Sequence, residues 1–215
     1  MSTLTIQSPE VVYPDSDGEP MADNTLQFEW IVTLQGNIDL LFRDNPNVFV
    51  AGDHLIYPVD GDATIRLAPD VYVAFGRPKG HRGSYLVSAE ANVFPQVVFE
   101  VWSPGNTKPR MDEKRRFYAR YGAEEYYVLY PDRPQLWEGW RREGDAFVSV
   151  GMNGFISPRL GIRFESAGGY VAVYHPNGER FLTHLERAVL AEQEHTRAER
   201  LATRLRELGV DPDTV

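Results

Sequence analysis

The chain has 215 residues, of which 42% are hydrophobic and 25% charged, a composition typical of a globular protein with room for one domain and an appendage. It contains no cysteine, which excludes disulfides, thiolate zinc sites and a cysteine nucleophile, and its net charge of -9 argues against a general nucleic-acid coat protein. No apolar run approaches the roughly 20 residues that cross a bilayer, and the first residues lack a signal-peptide pattern. We therefore expect a cytoplasmic protein without a membrane partner.

Helix and strand patterns alternate along the first 130 residues. Apolar residues at helical spacing predict a helix over 24–42, with Asp23 or Asn24 as its N-cap. A proline in the first turn and Gly122 at a left-handed cap position delimit a second helix over 109–121. Strands are predicted over 48–58, with an interruption at Gly52 and Asp53, and over 71–75, 96–102 and 125–130.

More strands are predicted in the second half of the chain. Combined with the helices, they indicate an α/β (α+β) fold in which a mixed β-sheet is flanked by helices. The additional strands are expected over 135–140, 146–150, 161–165 and 170–175.

A charged helix rich in Glu and Arg is predicted over 180–208. Its apolar residues do not keep a single heptad phase, so it either mediates self-association or lies on its own domain. The chain thus divides into a predicted domain over 10–178 and a helical tail over 179–210.

Positive charge is concentrated in one part of the sequence. Residues 77 to 120 contain nine Lys or Arg and four acidic residues, whereas the rest of the chain has 13 bases and 27 acids. Such a segment provides a local surface for phosphates, or it is an ordinary solvated loop and helix. The candidate phosphate and DNA contacts are Arg77, Lys79, Arg82, Lys108, Arg110, Arg116 and Arg120.

One carboxylate lies within an apolar predicted strand. The run VVFEVW places Glu100 on the same strand face as Val98 and Trp102. Burying an unpaired charge is unfavourable, so Glu100 needs a cation, a proton or a hydrogen-bonding partner. A metal ion meets this need if a second carboxylate is close, and Asp70, which begins the preceding main strand, is the natural candidate. The alternative for Asp70 is an ordinary strand-start or turn residue.

A lysine on the second predicted helix supplies a third element. Lys114 lies three and four residues before Phe117 and Tyr118, so it borders the aromatic face that should pack on the sheet. Its amine can reach inward, and Arg116 and Arg120 line another surface of the helix. The alternative is an amphipathic lysine whose stem covers apolar surface.

Three strings carry a resemblance to a known family: APDVYVAFG, PQVVFEVWSPGNT and DEKRRFYARYGAEEYYVLYPD. Over about residues 10 to 175 the chain resembles the bacterial Uma-two family of restriction-endonuclease-like proteins, a branch of the PD-(D/E)XK nuclease superfamily. The resemblance implies a restriction-endonuclease-like sheet, with additional strands and a C-terminal helical tail, in which Asp70 and Glu100 bind Mg²⁺. It also moves the catalytic lysine to Lys114, because Trp102 occupies the position where the superfamily has lysine.

The expected function is hydrolysis of DNA phosphodiester bonds by a water activated on Mg²⁺ or Mn²⁺, with Asp70, Glu100 and Lys114 as catalytic residues. Glu29 and Asp53 are further candidates for the metal shell. Motifs of nucleotide-cradling loops, dinucleotide-binding folds, serine hydrolases and zincins are absent from the sequence. A homodimer would suit cleavage of both strands. The alternative is a catalytically inactive module with the nuclease fold that binds or assembles through its helical tail.

Overall fold

The computed structural model describes residues 11–18, 20–166 and 172–212, which divide into two compact units between Phe181 and Leu182. The first unit carries all the strands and two α-helices, and the second carries a third helix. The predicted mixed α/β architecture, with a mixed sheet, helices and a C-terminal helix, is confirmed.

Three α-helices, one short 3-10 helix and ten strands are present in the described residues. The helices are α1 (Thr25–Leu41), α2 (Lys108–Tyr121) and α3 (His184–Glu207), and the 3-10 helix covers Pro134–Leu136. The strands are β1 (Val48–Ala51), β2 (Ile56–Tyr57), β3 (Val71–Phe75), β4 (Tyr85–Leu86), β5 (Val97–Val101), β6 (Glu125–Leu129), β7 (Glu138–Glu143), β8 (Ala146–Val150), β9 (Arg163–Glu165) and β10 (Ala172–Tyr174).

The main sheet has six strands in the order β1, β3, β5, β6, β7, β8. Strands β5 and β6 are parallel and are connected by α2, whereas the other neighbours are antiparallel. Every residue of β5 and β6 is buried, which explains why VVFEV and EYYVL show little alternation of polar and apolar residues. Two small sheets pair β2 with β4 and β9 with β10.

The first two helices confirm the sequence prediction because their ends depend on local signals. The side chain of Asn24 accepts a hydrogen bond from the N–H of Gln27 at 2.9 Å, so Asn24 rather than Asp23 is the N-cap of α1. Gly122 ends α2 with a φ of 119°, a left-handed conformation that glycine adopts without steric cost.

The prediction of a strand over 135–140 is wrong in position. Residues 134–136 form the 3-10 helix, and β7 covers 138–143 instead. Pairing with β6, in which Tyr126 is opposite Trp140 and Glu125 is opposite Arg141, continues β7 through polar residues. A hydrophobic pattern does not report such a continuation, because backbone hydrogen bonding extends the strand beyond its apolar residues.

The C-terminal helix begins later than the predicted residue 180. Phe181 donates its N–H to the carbonyl of Val173 at 2.7 Å, so the residues before the helix pair with β10. Helix α3 then starts at His184, where Thr183 and Glu186 form a reciprocal capping box. The strand predicted over 170–175 is observed as β10, and residues 10, 170 and 171 of the predictions lie outside the described residues. None of the helices in the described ranges is long and apolar enough to cross a membrane.

Candidate active site

Strand register brings Asp70 and Glu100 together. Strands β3 and β5 are antiparallel, and Val71 of β3 lies opposite Phe99 of β5. Asp70 directly precedes Val71, and Glu100 directly follows Phe99. The same register therefore places the two acids opposite each other, where side chains of an antiparallel pair share a face. An Oδ2 atom of Asp70 accepts a hydrogen bond from the N–H of Val101 at 2.5 Å, which anchors the carboxylate at the end of β5.

Both oxygens of the Glu100 carboxylate have partners on α2. Lys114 Nζ donates to Oε2 at 2.6 Å, and the Tyr118 hydroxyl donates to Oε1 at 2.8 Å. The side chain of Glu100 is 1% exposed and that of Lys114 is 12% exposed, so the ion pair is largely withdrawn from water. The structure thus directs the Lys114 amine inward, toward the strand carboxylate, as the sequence suggested.

The electrostatics of these groups disfavour ionisation of Asp70 beside Glu100 and favour the protonated amine of Lys114. Burial, and then the negative charge of Glu100, raise the pKa of Asp70 to about 8, although Lys114 and the Val101 N–H act in the opposite direction. Burial opposes the charged form of Lys114, but the carboxylates of Glu100 and Asp70 outweigh it and raise the pKa of this amine. Lys114 therefore stays protonated, and one positive charge faces two acids.

A cavity of about 250 Å³ opens beside Asp70. Since a water molecule occupies about 30 Å³ in the liquid, this space can accommodate a small cation with several of its waters. The charged residues that line this cavity are four acids and three bases. The buried Glu100, which pairs with Lys114, is not counted among them. They are Asp17, Asp23, Asp53, Asp70, Arg66, Arg110 and Lys114.

Asp53 lies on the wall of this cavity in a strained loop. Its φ is 46°, and its N–H is 3.2 Å from the carbonyl oxygens of both Pro69 and Asp70. A Cβ on Gly52 would stand 2.8 Å from the Asp70 carbonyl oxygen, so the loop can approach β3 only because residue 52 is glycine. Burial, and then the charge of Asp17, raise the pKa of Asp53.

The donor set fits a hard divalent cation held mainly by two carboxylates. Within the described ranges no group of three His, Cys, Asp or Glu residues is arranged to hold a metal ion, so Asp53 lines the cavity without completing a third ligand. Glu29 is exposed on α1 and is not among the residues that line the cavity. Mg²⁺ commonly uses one or two carboxylates and keeps several waters, which matches Asp70 and Glu100 beside a polar cavity.

The basic residues predicted to contact phosphate separate into two groups. Arg77 and Arg82 both pair with Glu90, at 2.9 and 2.5 Å, and their side chains are only 18% and 13% exposed. These two arginines therefore hold the 77–90 loop together through Glu90, and their contact with phosphate stays a prediction. Lys79 pairs with Asp39 and Lys108 with Glu138, whereas Arg110, Arg116 and Arg120 are exposed on α2.

Tyr118 was not among the predicted site residues, although it touches the catalytic candidate Glu100. The signal was available, because Tyr118 follows Lys114 by four residues and so lies on the same helical face. Gln27 was also missed. Its Nε2 donates to the Val101 carbonyl at 3.1 Å, and its Oε1 accepts from the Asp23 N–H at 2.8 Å. Nothing in the local sequence indicates a contact that joins α1 to the end of β5 across 74 residues.

Comparison with known proteins gives one family and one structural similarity. The sequence profile of the Uma2 family, described as "Putative restriction endonuclease", matches residues 19–154, more than half of the chain and including Asp70, Glu100 and Lys114. A search of curated proteins gave no match. Among solved structures, the chain is similar to a protein of Anabaena variabilis described as a "putative nuclease belonging to DUF820", with 12% identity and a TM-score of 0.47, over 63% of this chain and 72% of that chain.

Replacing Asp70 should change how stability depends on pH. The pKa of Asp70 is about 8 in the folded protein, whereas its ordinary value is 3.8. Between these two pH values the folded state therefore keeps a proton that the unfolded chain has released. As pH rises from 3.8 to about 8, the free energy of unfolding of the wild type should fall by on the order of a few kcal/mol. That of Asp70→Asn should fall less. Urea unfolding in metal-free buffer at several pH values measures the difference. Asp44→Asn, at a side chain 89% exposed, is the control, and equal slopes for wild type and Asp70→Asn would contradict the assignment.

Removing the amine of the ion pair should destabilise the fold. Lys114→Met leaves Glu100 buried without its counter-charge and should lower the free energy of unfolding by roughly 3–5 kcal/mol. The double variant Lys114→Met, Glu100→Gln should recover much of this loss, because the buried charge is then gone. Denaturant unfolding of both single variants and the double variant measures the coupling. Strict additivity of the two losses would refute it.

Proposed function

The chain belongs to the Uma2 family, described as "Putative restriction endonuclease", and we propose that it is a divalent-metal-dependent nuclease that hydrolyses the phosphodiester bonds of DNA. Family membership supports a nuclease in general. The observation that supports the finer proposal is the pairing of Asp70 and Glu100 on one face of the sheet, with the protonated amine of Lys114 against Glu100 and a polar cavity alongside.

Asp70 and Glu100 would hold Mg²⁺ or Mn²⁺ through their carboxylates. Burial and then the charge of Glu100 raise the pKa of Asp70, and a cation would favour the ionised carboxylate. When bound, such an ion lowers the pKa of a coordinated water and offsets charge developing on the phosphate. The Val101 N–H fixes the direction of the Asp70 carboxylate, and Gln27 holds the carbonyl of the same residue. The chain thus provides two oriented carboxylates at the end of β5.

Lys114 would take the role of the lysine that the superfamily has two residues after the strand glutamate. Its amine reaches Glu100 from α2, so the position of Trp102 does not leave the site without a lysine. Because its pKa is raised, the amine remains protonated at neutral pH and can donate to a phosphate oxygen that gains charge during hydrolysis. Tyr118 orients the other oxygen of Glu100 and restrains the carboxylate.

DNA would approach along the exposed side of α2. Arg110 lines the cavity, and Arg116 and Arg120 are exposed further along the same helix. Arg110 would contact phosphate at the cavity, and Arg116 and Arg120 would add positive charge further along the helix, so a polyanion can dock on a protein whose net charge is -9.

Cleavage of single- and double-stranded DNA with Mg²⁺ or Mn²⁺ tests the proposal. Asp70→Asn, Glu100→Gln and Lys114→Met should each lower the rate by at least about a hundredfold, because each removes a group that orients or stabilises the reacting charge. Calorimetric titration with Mn²⁺ should show one site that Asp70→Asn and Glu100→Gln remove.

Glu113→Gln is a matched control, because Glu113 neighbours Lys114 on α2 but is exposed and lies outside the cavity. Its activity should equal that of the wild type. Wild-type rates in Asp70→Asn, or no cleavage of any DNA form with either metal, would refute the proposed activity.

A second copy of the chain is the proposed partner of α3. Residues 184–195 of this helix carry three acids and one base, and residues 196–207 carry four bases and two acids. Two antiparallel copies would therefore set the acidic half of each helix against the basic half of the other. Leu185, Val189, Leu201 and Leu208 are exposed and would supply apolar contact area.

Light scattering at several protein concentrations tests this association. The full chain should have twice its 24.4 kDa monomer mass, and added salt should shift it toward monomer. Leu201→Glu should shift it likewise, whereas Val148→Glu, at an exposed apolar residue of β8, should not. A monomer mass for the wild type at every concentration would refute the association.

A further inference from the structure

A second cavity lies beyond the carboxyl ends of the parallel strands β5 and β6. Its volume is about 190 Å³. Gln27 lines both this cavity and the one beside Asp70, so the two spaces adjoin. In open α/β sheets, ligands bind outside the carboxyl ends of parallel strands. The remaining lining residues are Asn24, Leu26, Trp102, Pro104, Pro131, Asp132 and Arg133.

Trp102 presents a flat aromatic surface at this cavity. It is partly buried and stacks on Tyr130, with ring centroids 4.8 Å apart and planes inclined by 21°. Trp102 follows Glu100 by two residues, so both side chains leave the same face of the sheet, about 7 Å apart along the strand direction. A group stacked on Trp102 would thus lie about 7 Å along the strand direction from a phosphate held at Glu100.

The other walls suit a flat heterocycle rather than an aliphatic chain or an ion. Pro104 and Pro131 are conformationally restricted and contribute apolar surface. The Gln27 amide is already committed to the Val101 carbonyl and the Asp23 N–H, so it forms a fixed wall. The Arg133 guanidinium lies over the Tyr130 ring at 5.7 Å, and its Nε pairs with Asp132 at 3.5 Å. Its side chain is 46% exposed, so its other N–H groups can donate to a polar edge.

We propose that this second cavity binds a nucleobase of the cleaved strand, with Trp102 as its stacking platform. The inference rests on the proposed nuclease function and names its substrate class, because a base can reach Trp102 only when it is out of the duplex stack. The substrate is therefore single-stranded, or locally unstacked, beside the scissile phosphate. The same reading gives Trp102 a role at the position where the superfamily has lysine.

Fluorescence anisotropy with a labelled single-stranded DNA of about six nucleotides tests the inference in metal-free buffer, where cleavage does not interfere. Trp102→Leu should weaken binding about tenfold, since stacking of one base contributes that order of affinity. Trp102→Phe keeps an aromatic face and should bind within about threefold of wild type. Trp30→Leu, at a partly buried tryptophan that contacts Trp137 instead, should bind as wild type does.

A second experiment uses the wild-type protein and a set of oligonucleotides, each of which lacks the base at a different position. One position should reproduce the tenfold loss, and Trp102→Leu should add no further loss for that oligonucleotide. Equal binding of the intact oligonucleotide and every abasic one, or no binding of the intact one, would overturn the base site. If the base site is overturned in this way but the protein cleaves DNA, the nuclease proposal stands. If binding depends on Trp102 but no DNA is cleaved, the base site is upheld and the nuclease proposal is refuted.

Discussion

The burial of the Glu100 carboxyl group in the centre of the sheet constrains the residues around it. Both oxygens of the Glu100 carboxyl group, on a fully buried strand, have partners within the protein, Lys114 and Tyr118. Both partners lie on the helix that links β5 to β6, so the connection that makes these strands parallel also delivers the amine. The same elements therefore form the centre of the sheet and the candidate site.

Asp70 places a second carboxyl group beside this ion pair. It faces Glu100 across the strand register, and the raised pKa of its carboxyl reflects burial next to a like charge. The Val101 N–H and the loop at Gly52 hold the start of β3 in place despite that repulsion. The folded chain therefore carries an electrostatic cost that a bound cation would offset, which links stability of the fold to affinity for metal.

Local signals account for the parts of the fold that the sequence predicts well. Helices α1 and α2 follow from apolar spacing with Asn24 and Gly122 at their ends, and β5 follows from an apolar run. Strand β7 is misplaced by the sequence pattern because its pairing with β6 runs through polar residues. The ion pairs of Arg77 and Arg82 were likewise not predicted, because their partner Glu90 belongs to a different part of the loop.

The sequence by itself determined that Glu100 is an acid inside an apolar strand and that Lys114 borders the inward face of a helix, since alternation and helical spacing act over a few residues. The tertiary structure alone decided that Asp70 faces Glu100 and that Gln27 contacts the end of β5. It also decided that two arginines of the 77–90 loop form ion pairs within that loop. It also placed Trp102 on Tyr130 beside an open cavity. The meeting of Asp70 and Glu100 depends on strand register, and the other contacts depend on how the helix and loop pack, neither of which is visible in a short stretch of sequence.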